Sequence, residues 1–236
     1  MNKFHPLQYV NNTQHIPYNP TSPGTQPLPL IPGPKLYSET VADLQTTMIV
    51  TDSMAGGVKA KCLKKNITGN NEQIIFRRFP GHTAEDIAFY VPKPLSDTKP
   101  DQVIIVAGTN DLSRYVYQKE DVDEYKVVES ILKIGRTARE HGTKKICISS
   151  IIVRRGYRFQ EIIKKVNDLL YMACVAEDFR FIDQDDITIA HVSSDGIHLN
   201  SNGTSILLFN ILSVFSKFDR NFMDFKDDYE YAISIR

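Results

Sequence analysis

Five short stretches of apolar and β-branched residues alternate with helix-like stretches along most of this chain. The five stretches cover residues 46–51, 73–79, 102–107, 145–153 and 179–182. The third is apolar after its first residue, which suits a strand buried on both faces of a parallel sheet. Strands that alternate with helices build α/β folds, because each crossover helix covers one face of the sheet. We therefore expect an α/β protein with five parallel strands and helices on both faces of the sheet.

Helices are expected in the segments between these strands. Thr83 followed three residues later by Asp86 is typical of a helix N-cap. Apolar residues recur at helical spacing in 123–140, and His141-Gly142 is a stop signal. Further helices are predicted after the first strand through Lys65, over 159–177 and over 201–218.

The two ends of the chain differ in composition from its middle. Of the 12 prolines, 8 lie in residues 1–36 among Asn, Gln and Thr, a composition that resists regular structure. Acidic residues recur in 219–236. The sequence therefore predicts a flexible Pro-rich tail over 1–36, one folded domain over 37–218 and an acidic tail over 219–236.

Charge and hydropathy limit the partners that we expect. Lys plus Arg is 28 and Asp plus Glu is 28, and zero net charge argues against a domain that binds polyanions by bulk electrostatics. We expect no direct nucleic-acid binding by the folded domain. No apolar run approaches the roughly 18–20 residues of a membrane span, and residues 1–10 lack a signal-peptide core. We therefore expect a cytoplasmic protein without a membrane span.

Three cysteines, Cys62, Cys147 and Cys174, stand far apart among apolar neighbours. Three cysteines cannot all pair within one chain, and these lack the close spacing of a metal site. We expect them to be small buried core residues.

Three predicted strands lead into segments that carry chemically useful residues, Ser53, Gly81 and Asn110. The carboxyl ends of parallel strands meet at one edge of a sheet, so we expect these residues to converge. A serine hydroxyl can act as a nucleophile, while backbone N–H groups and an Asn side chain can stabilise an oxyanion. Each residue also has an ordinary structural interpretation, with Ser53 as a helix N-cap and the other two as turn residues.

A nucleophilic serine needs a base, and the base needs a carboxylate that orients it. Asp195 and His198 form such a pair, because a spacing of three places both side chains on one side of a turn before the last predicted helix. We expect His198 to reach Ser53 while Asp195 holds the other ring nitrogen. The alternative is an unremarkable surface or core histidine, since the chain contains six.

These four segments resemble the four sequence blocks of the SGNH hydrolases, the superfamily of GDSL-type esterases and lipases. The resemblance spans about residues 46–215. Its segments are Thr51-Asp52-Ser53, Pro80-Gly81-His82-Thr83, Gly108-Thr109-Asn110-Asp111 and Asp195-Gly196-Ile197-His198. The resemblance implies a flavodoxin-like fold, a three-layer α/β/α sandwich.

The resemblance also implies a role for each candidate residue. Ser53 would be the nucleophile and would donate its backbone N–H to the oxyanion. Gly81 would supply a second backbone donor, and Asn110 a side-chain donor. His198 would be the base, and Asp195 its orienting partner.

The predicted function is a serine esterase that hydrolyses small acyl esters of acetyl size and needs no metal or organic cofactor. Small residues near the nucleophile, Ala55, Gly56 and Gly57, favour a short acyl group. Thr51 departs from the family pattern, because it stands where glycine is usual, and its β-branched side chain is expected to crowd the turn or to reshape the acyl site. The alternative is a binding or scaffold module with the same fold and little or no turnover.

A second resemblance bears on that alternative. The segment Phe79-Pro80-Gly81-x-Thr83, with Asp86-Ile87 after it, resembles esterase-type domains in first-reading-frame proteins of certain LINE-type retrotransposons. The module would then associate with a mobile-element or nucleic-acid complex through its Pro-rich tail or its partners. A nucleotide-binding protein is the least favoured function, because Met54-Ala55-Gly56-Gly57 lacks the glycine spacing of a dinucleotide loop.

Two pairs of arginines complete the candidates. Arg154 and Arg155 follow the fourth strand, where we favour a solvated pair over a site for an anionic substrate group. Arg77 and Arg78 lie in the second strand and are expected to alternate between its faces.

Overall fold

A computed structural model describes residues 44–67, 71–118 and 122–215 of the chain. These residues contain a five-stranded sheet in which every pair of neighbouring strands is parallel. The strand order is β2-β1-β3-β4-β5, as in flavodoxin-like folds. The strands are β1 (Gln45–Thr51), β2 (Glu72–Arg78), β3 (Gln102–Val106), β4 (Lys145–Ser149) and β5 (Arg180–Ile182). The predicted α/β fold with five parallel strands is confirmed.

Helices cover both faces of this sheet. They are α1 (Ala60–Asn66), α2 (Ala84–Tyr90), α3 (Pro92–Thr98), α4 (Thr109–Gln118), α5 (Glu124–Glu140), α6 (Tyr157–Ala176) and α7 (Ser201–Leu212), with a short 3-10 helix over Ile189–His191. Thr83 caps α2 as predicted, in a capping box with Asp86. The predicted tails over 1–36 and 219–236 lie outside the described residues, so the proposed domain boundaries stay predictions.

Alternation along β1 divides the core between the two faces. Met48 and Val50 pack into one apolar cluster with α2, α5 and α6, while Ile49 packs into the other with α1 and α7. All three side chains have no exposed surface. β3 is buried along its whole length, because it lies in the middle of the sheet with helices over both faces.

The fourth strand is shorter than predicted. The apolar run continues to Val153, but β4 ends at Ser149. Beyond this end, the side-chain amide of Asn167 accepts a hydrogen bond from the Ile151 N–H at 2.7 Å and donates one to the Ile151 carbonyl at 3.0 Å. Side-chain hydrogen bonds thus replace the sheet ladder at Ile151, one residue after the Ser150 N–H still donates to the Ile182 carbonyl at 2.9 Å.

Some predicted helices have the wrong bounds, and some observed helices were not predicted. α1 starts only at Ala60, because a turn over 53–57 comes first. α7 ends at Leu212 rather than at 218. α3 was missed because its two prolines suggest a loop, although Pro92 fits the first turn of a helix. α4 was missed because a turn was the only local structure considered for Asn110.

The cysteines are confirmed as core residues in two of three cases. Cys147 and Cys174 are buried, which raises the pKa of the Cys147 thiol to about 11 and that of Cys174 to about 12. Cys62 is only half-buried. Within the described ranges, no helix has both the length and the apolar character needed to cross a membrane.

Candidate active site

Ser53 lies in the turn that follows β1, at the carboxyl edge of the sheet. The structure excludes the N-cap interpretation, since the cap position of α1 is Lys59. The Ser53 side chain is half-buried, and its hydroxyl makes no hydrogen bond within the described part of the chain. The Gly56 N–H donates to the Ser53 carbonyl at 3.0 Å and closes the turn. Ser53 therefore has a hydroxyl that is available for chemistry.

Two backbone N–H groups in the loops at this edge of the sheet are also without a partner among the described residues. Neither the Ser53 N–H nor the Gly81 N–H donates a hydrogen bond to any residue that the structure describes. Gly81 has φ +77, a left-handed conformation that favours glycine. The segment stays close to β1, because the Phe79 N–H donates to the Thr51 carbonyl at 2.8 Å. The edge thus offers two free donors of the kind that an oxyanion requires.

Asn110 lies in the first turn of α4, and its amide joins two loops. Its Nδ2 donates to the His82 carbonyl at 3.0 Å, and its Oδ1 accepts from the Arg154 guanidinium at 3.4 Å. An amide nitrogen has two hydrogens, so one remains for a further acceptor. Asn110 therefore offers a third hydrogen-bond donor beside the loop that contains Gly81 and His82.

Arg154 is buried behind Asn110, with 4% of its surface exposed. One guanidinium nitrogen contacts Asn110, another donates to the Ser113 hydroxyl, and the group faces the Phe159 ring at 5.9 Å. The preference for a solvated Arg154–Arg155 pair was wrong for Arg154, while Arg155 is exposed. The sequence alone does not distinguish the two, because they are adjacent and of the same type.

Asp195 and His198 are brought together as predicted. Asp195 Oδ2 lies 2.8 Å from His198 Nδ1, and about half of each side chain is exposed. Asp195 Oδ1 accepts from the Ser193 hydroxyl at 2.7 Å and from the Ile197 N–H at 2.8 Å. The Ser193 bond, followed by the Ile197 and His198 bonds, holds the pKa of Asp195 well below its usual range. A carboxylate at Nδ1 favours the tautomer in which His198 Nε2 accepts a proton.

The loop that carries this pair is tied down at both ends. The Ser193 N–H donates to the His198 carbonyl at 2.8 Å, and a bridge joins Val192 to Leu199. The Arg155 N–H donates to the Gly196 carbonyl at 3.1 Å, which attaches the loop to the segment after β4. The orientation of His198 is thus determined by backbone contacts as well as by Asp195.

The Ser53–His198 bond is the one predicted contact that the structure lacks. Within the described residues, no hydrogen bond joins the Ser53 hydroxyl to His198. His198 nevertheless lies within electrostatic range of Asp52, the residue before Ser53. Active sites without substrate often have long hydrogen bonds between base and nucleophile.

Two buried carboxyl groups lie beneath the candidate residues. Burial raises the pKa of Asp52 to about 6, against the opposing effects of the Met54 N–H and Arg154. Burial likewise raises the pKa of Asp111 to about 7, although both its oxygens accept from the Ala84 N–H, at 3.1 and 2.9 Å. Asp111 therefore ties the start of α4 to the start of α2.

Thr51 is the last residue of β1 and stands where the family pattern has glycine. It has no exposed surface, and its hydroxyl donates to the Asp52 carbonyl at 3.0 Å. Its backbone stays in β1, paired with Val106 and Arg78. The threonine is accommodated inside the sheet, so the expected crowding of the turn is not seen.

Sequence reasoning missed three residues that build this site. Arg154 was placed in solvent, Asp111 was given no role of its own, and Ser193 was not considered. Asp111 follows Asn110 directly, but its burial depends on helix α4, which the sequence analysis did not predict. In the described ranges, no three His, Cys, Asp or Glu side chains are grouped as metal ligands.

Comparison with known proteins gives matches by structure only. A scan against protein-family models finds no match, and a search of curated proteins finds none. An acetylxylan esterase from Geobacillus stearothermophilus matches with a TM-score of 0.63 and 14% identity, over 75% of this chain and 98% of that one. A GDSL-like lipase from Bacteroides thetaiotaomicron matches with a TM-score of 0.58 and 17% identity, over 72% and 86%.

A third match agrees with these two. The lipase/acylhydrolase from Enterococcus faecalis has a TM-score of 0.58 and 20% identity, over 72% of this chain and 94% of that one. The chain therefore has the fold of the GDSL-type hydrolases, as its four sequence blocks predicted.

Proposed function

We propose that this protein is a serine esterase that hydrolyses small acyl esters, with Ser53 as the nucleophile. The observation that carries the proposal is the set of free groups at one edge of the sheet. The Ser53 hydroxyl and the N–H groups of Ser53 and Gly81 make no hydrogen bond within the described residues. Ser53 is half-buried and Gly81 is exposed, so these groups are open to an incoming ester.

The reaction begins when the Ser53 oxygen attacks the ester carbonyl and His198 Nε2 takes its proton. The carbonyl oxygen becomes an oxyanion, which the Ser53 N–H, the Gly81 N–H and the free Asn110 amide hydrogen stabilise. Asp195 stabilises the imidazolium that forms on His198. This step needs His198 Nε2 to reach the Ser53 hydroxyl, a contact that the described residues do not make.

The intermediate then collapses. The carbonyl forms again, the bond to the alcohol oxygen breaks, and His198 gives its proton to the leaving alcohol. Water attacks the acyl group on Ser53, with His198 again as the base. The acid leaves and the Ser53 hydroxyl is restored, so the cycle consumes only ester and water.

An acetyl group is the acyl group that we favour. Ala55 is buried beneath the turn, and Gly56 and Gly57 leave little side-chain surface beside Ser53. The acetylxylan esterase of the same fold acts on acetyl esters, which supports this size. The substrate is thus a small acetyl ester, and the catalytic domain corresponds to residues 37–218.

Hydrolysis of p-nitrophenyl esters of increasing acyl length tests the proposal. We expect saturable turnover of the acetate, with lower kcat/KM for longer chains. Ser53→Ala and His198→Ala should each remove that turnover, and circular dichroism would establish that both variants fold. Equal rates for wild type and both variants would reject the esterase.

A binding or scaffold module is the second candidate. The missing Ser53–His198 hydrogen bond favours it, because a site without this contact can hold an ester or acid without cleaving it. In that case a small carboxylic ester should bind with equal affinity to wild type and Ser53→Ala and be recovered intact. Association with a nucleic-acid complex would then involve segments outside the described residues.

A further inference from the structure

A groove beside the candidate active site has features of an anion-binding site. This β2 groove is a cavity of about 500 Å3 between the edge strand β2 and the segment α2–α3. Its lining residues are Phe76, Arg77, Arg78, Phe79, Tyr90, Lys93, Pro94 and Asp97. Aromatic rings and cations predominate in this set.

Arg77 is the residue that most needs a ligand. Its Nε is buried, yet it donates no hydrogen bond and joins no ion pair within the described part of the chain. A buried N–H without a partner costs free energy, because it has lost its hydration, although the Arg77 side chain as a whole is only half-buried. A carboxylate or phosphate in the groove would remove that cost by accepting from the guanidinium.

The other charges of the groove leave Arg77 available. Arg77, Lys93 and Asp97 give the α2–α3 side of the groove a net charge of +1, because Arg78 alternates with Arg77 along β2 and extends to the Val58 carbonyl ahead of α1. The carboxylate, Asp97, lies 3.1 Å from Lys93. Arg78 donates to the Val58 carbonyl at 2.6 Å and lies over the Phe76 ring. The groove therefore attracts anions.

The β2 groove adjoins the site at Ser53. The His82 ring packs edge-on against Phe79 at 6.1 Å and against Tyr90 at 5.6 Å, and both rings line the groove. The His82 carbonyl accepts from Asn110 on the other side. One residue thus forms a wall shared by the groove and the proposed oxyanion site.

We propose that the β2 groove binds a negatively charged group on the alcohol side of the ester substrate. This inference rests on the proposed function of Ser53. Arg77 is paired in register with Val50, on the strand that leads into Ser53. An acetyl group carries no charge, so the anion belongs to the alcohol. The rings of Phe79 and Tyr90 would contact the body of that alcohol.

Binding is tested first, in Ser53→Ala, so that turnover plays no part. Isothermal titration calorimetry with 3-hydroxybenzoate and 3-hydroxybenzamide compares an anionic and a neutral alcohol of the same shape. We expect the benzoate to bind about tenfold more tightly. Adding Arg77→Gln should reduce the difference to about twofold or less. Lys164→Gln is the matched control, because Lys164 lines a different cavity.

Turnover is tested next, with the acetate esters of the same two phenols. Wild type should have the higher kcat/KM for the anionic ester, and Arg77→Gln should lose that preference through KM. Equal affinity for the two phenols, or a preference that survives Arg77→Gln, would overturn the proposal. If neither ester is hydrolysed but the benzoate still binds through Arg77, the esterase fails and the anion site stands.

Discussion

The Arg154 guanidinium lies 3.4 Å from the Asn110 Oδ1 and thereby determines which way the Asn110 amide faces. With the oxygen held by Arg154, the nitrogen faces the His82 carbonyl and the proposed oxyanion. A flipped amide would direct an oxygen at that position and repel the developing charge. Arg154 is therefore a positioning residue for the proposed reaction.

Arg154→Gln should lower kcat roughly ten- to hundredfold with little change in KM, because the donor is misplaced while the ester still binds. Arg154→Lys should restore part of the loss, since an ammonium also attracts the Asn110 oxygen. The measurement is steady-state hydrolysis of p-nitrophenyl acetate, beside urea unfolding. Arg155→Gln is the control, and an equal loss of kcat there would contradict the assignment.

Asp195→Asn should reduce kcat by about a thousandfold or more. The Asn amide nitrogen would face His198 Nδ1. Because this nitrogen is a donor, it would favour the tautomer in which Nδ1 carries no proton and Nε2 cannot act as the base. Ser193→Ala removes only one bond to the opposite carboxylate oxygen, so its loss should be much smaller. Proton NMR of the imidazole N–H in both variants distinguishes the tautomers, and an unchanged tautomer in Asp195→Asn would contradict this role.

Asp111 should make the protein less stable as pH rises from about 4 to about 7. Burial raises its pKa to about 7, whereas the unfolded chain has an ordinary value near 4. Between these values the folded state keeps a proton that the unfolded state has released, so stability falls with increasing pH. Above about pH 7 Asp111 is ionised in both states, so the full free-energy cost of burying its charge is present.

Urea unfolding at pH 5 and pH 8 measures this effect in wild type and in Asp111→Asn. The variant cannot ionise, yet its side-chain oxygen can still accept from the Ala84 N–H. We expect its free energy of unfolding to fall less between the two pH values, by about 1 kcal/mol or more. Parallel pH profiles for the two proteins would contradict the assignment.

Gly108→Ala should destabilise the fold by about 2–4 kcal/mol. Gly108 has φ +106, and a Cβ there would lie 2.8 Å from side-chain atoms of Ile131 and of Ile151. Gly142→Ala is a matched control, since Gly142 has φ +90 with no atom within 4 Å of such a Cβ. It should cost about 1 kcal/mol. Urea midpoints compare the two, and equal losses would mean that packing contributes nothing.

The sequence predicted the sheet well because its strands are strongly apolar and their ends are marked by polar residues. It also predicted Asp195 with His198, since a spacing of three is a local relationship. The Asn167 contact that ends β4 was beyond prediction, because residue 167 meets residue 151 only after α6 has packed.

Burial of polar groups was the harder problem. Arg154 and Arg155 are chemically identical neighbours, and only the folded chain distinguishes a buried guanidinium from an exposed one. Arg77 and Arg78 were correctly expected to differ, because alternate residues of a strand face opposite sides. Which of the two would lack a partner depends on α2 and α3, and α3 was not predicted.

The contacts of Asp195 are confined to residues 193–198. The Asp195–His198 pair is therefore oriented by its own loop, which the Arg155 N–H attaches to the segment after β4, and not by Ser53. A substitution that shifts Ser53 should leave the pair intact. Substitutions can consequently change Ser53 without changing Asp195 and His198, so that activity can be lost while the pair keeps its geometry.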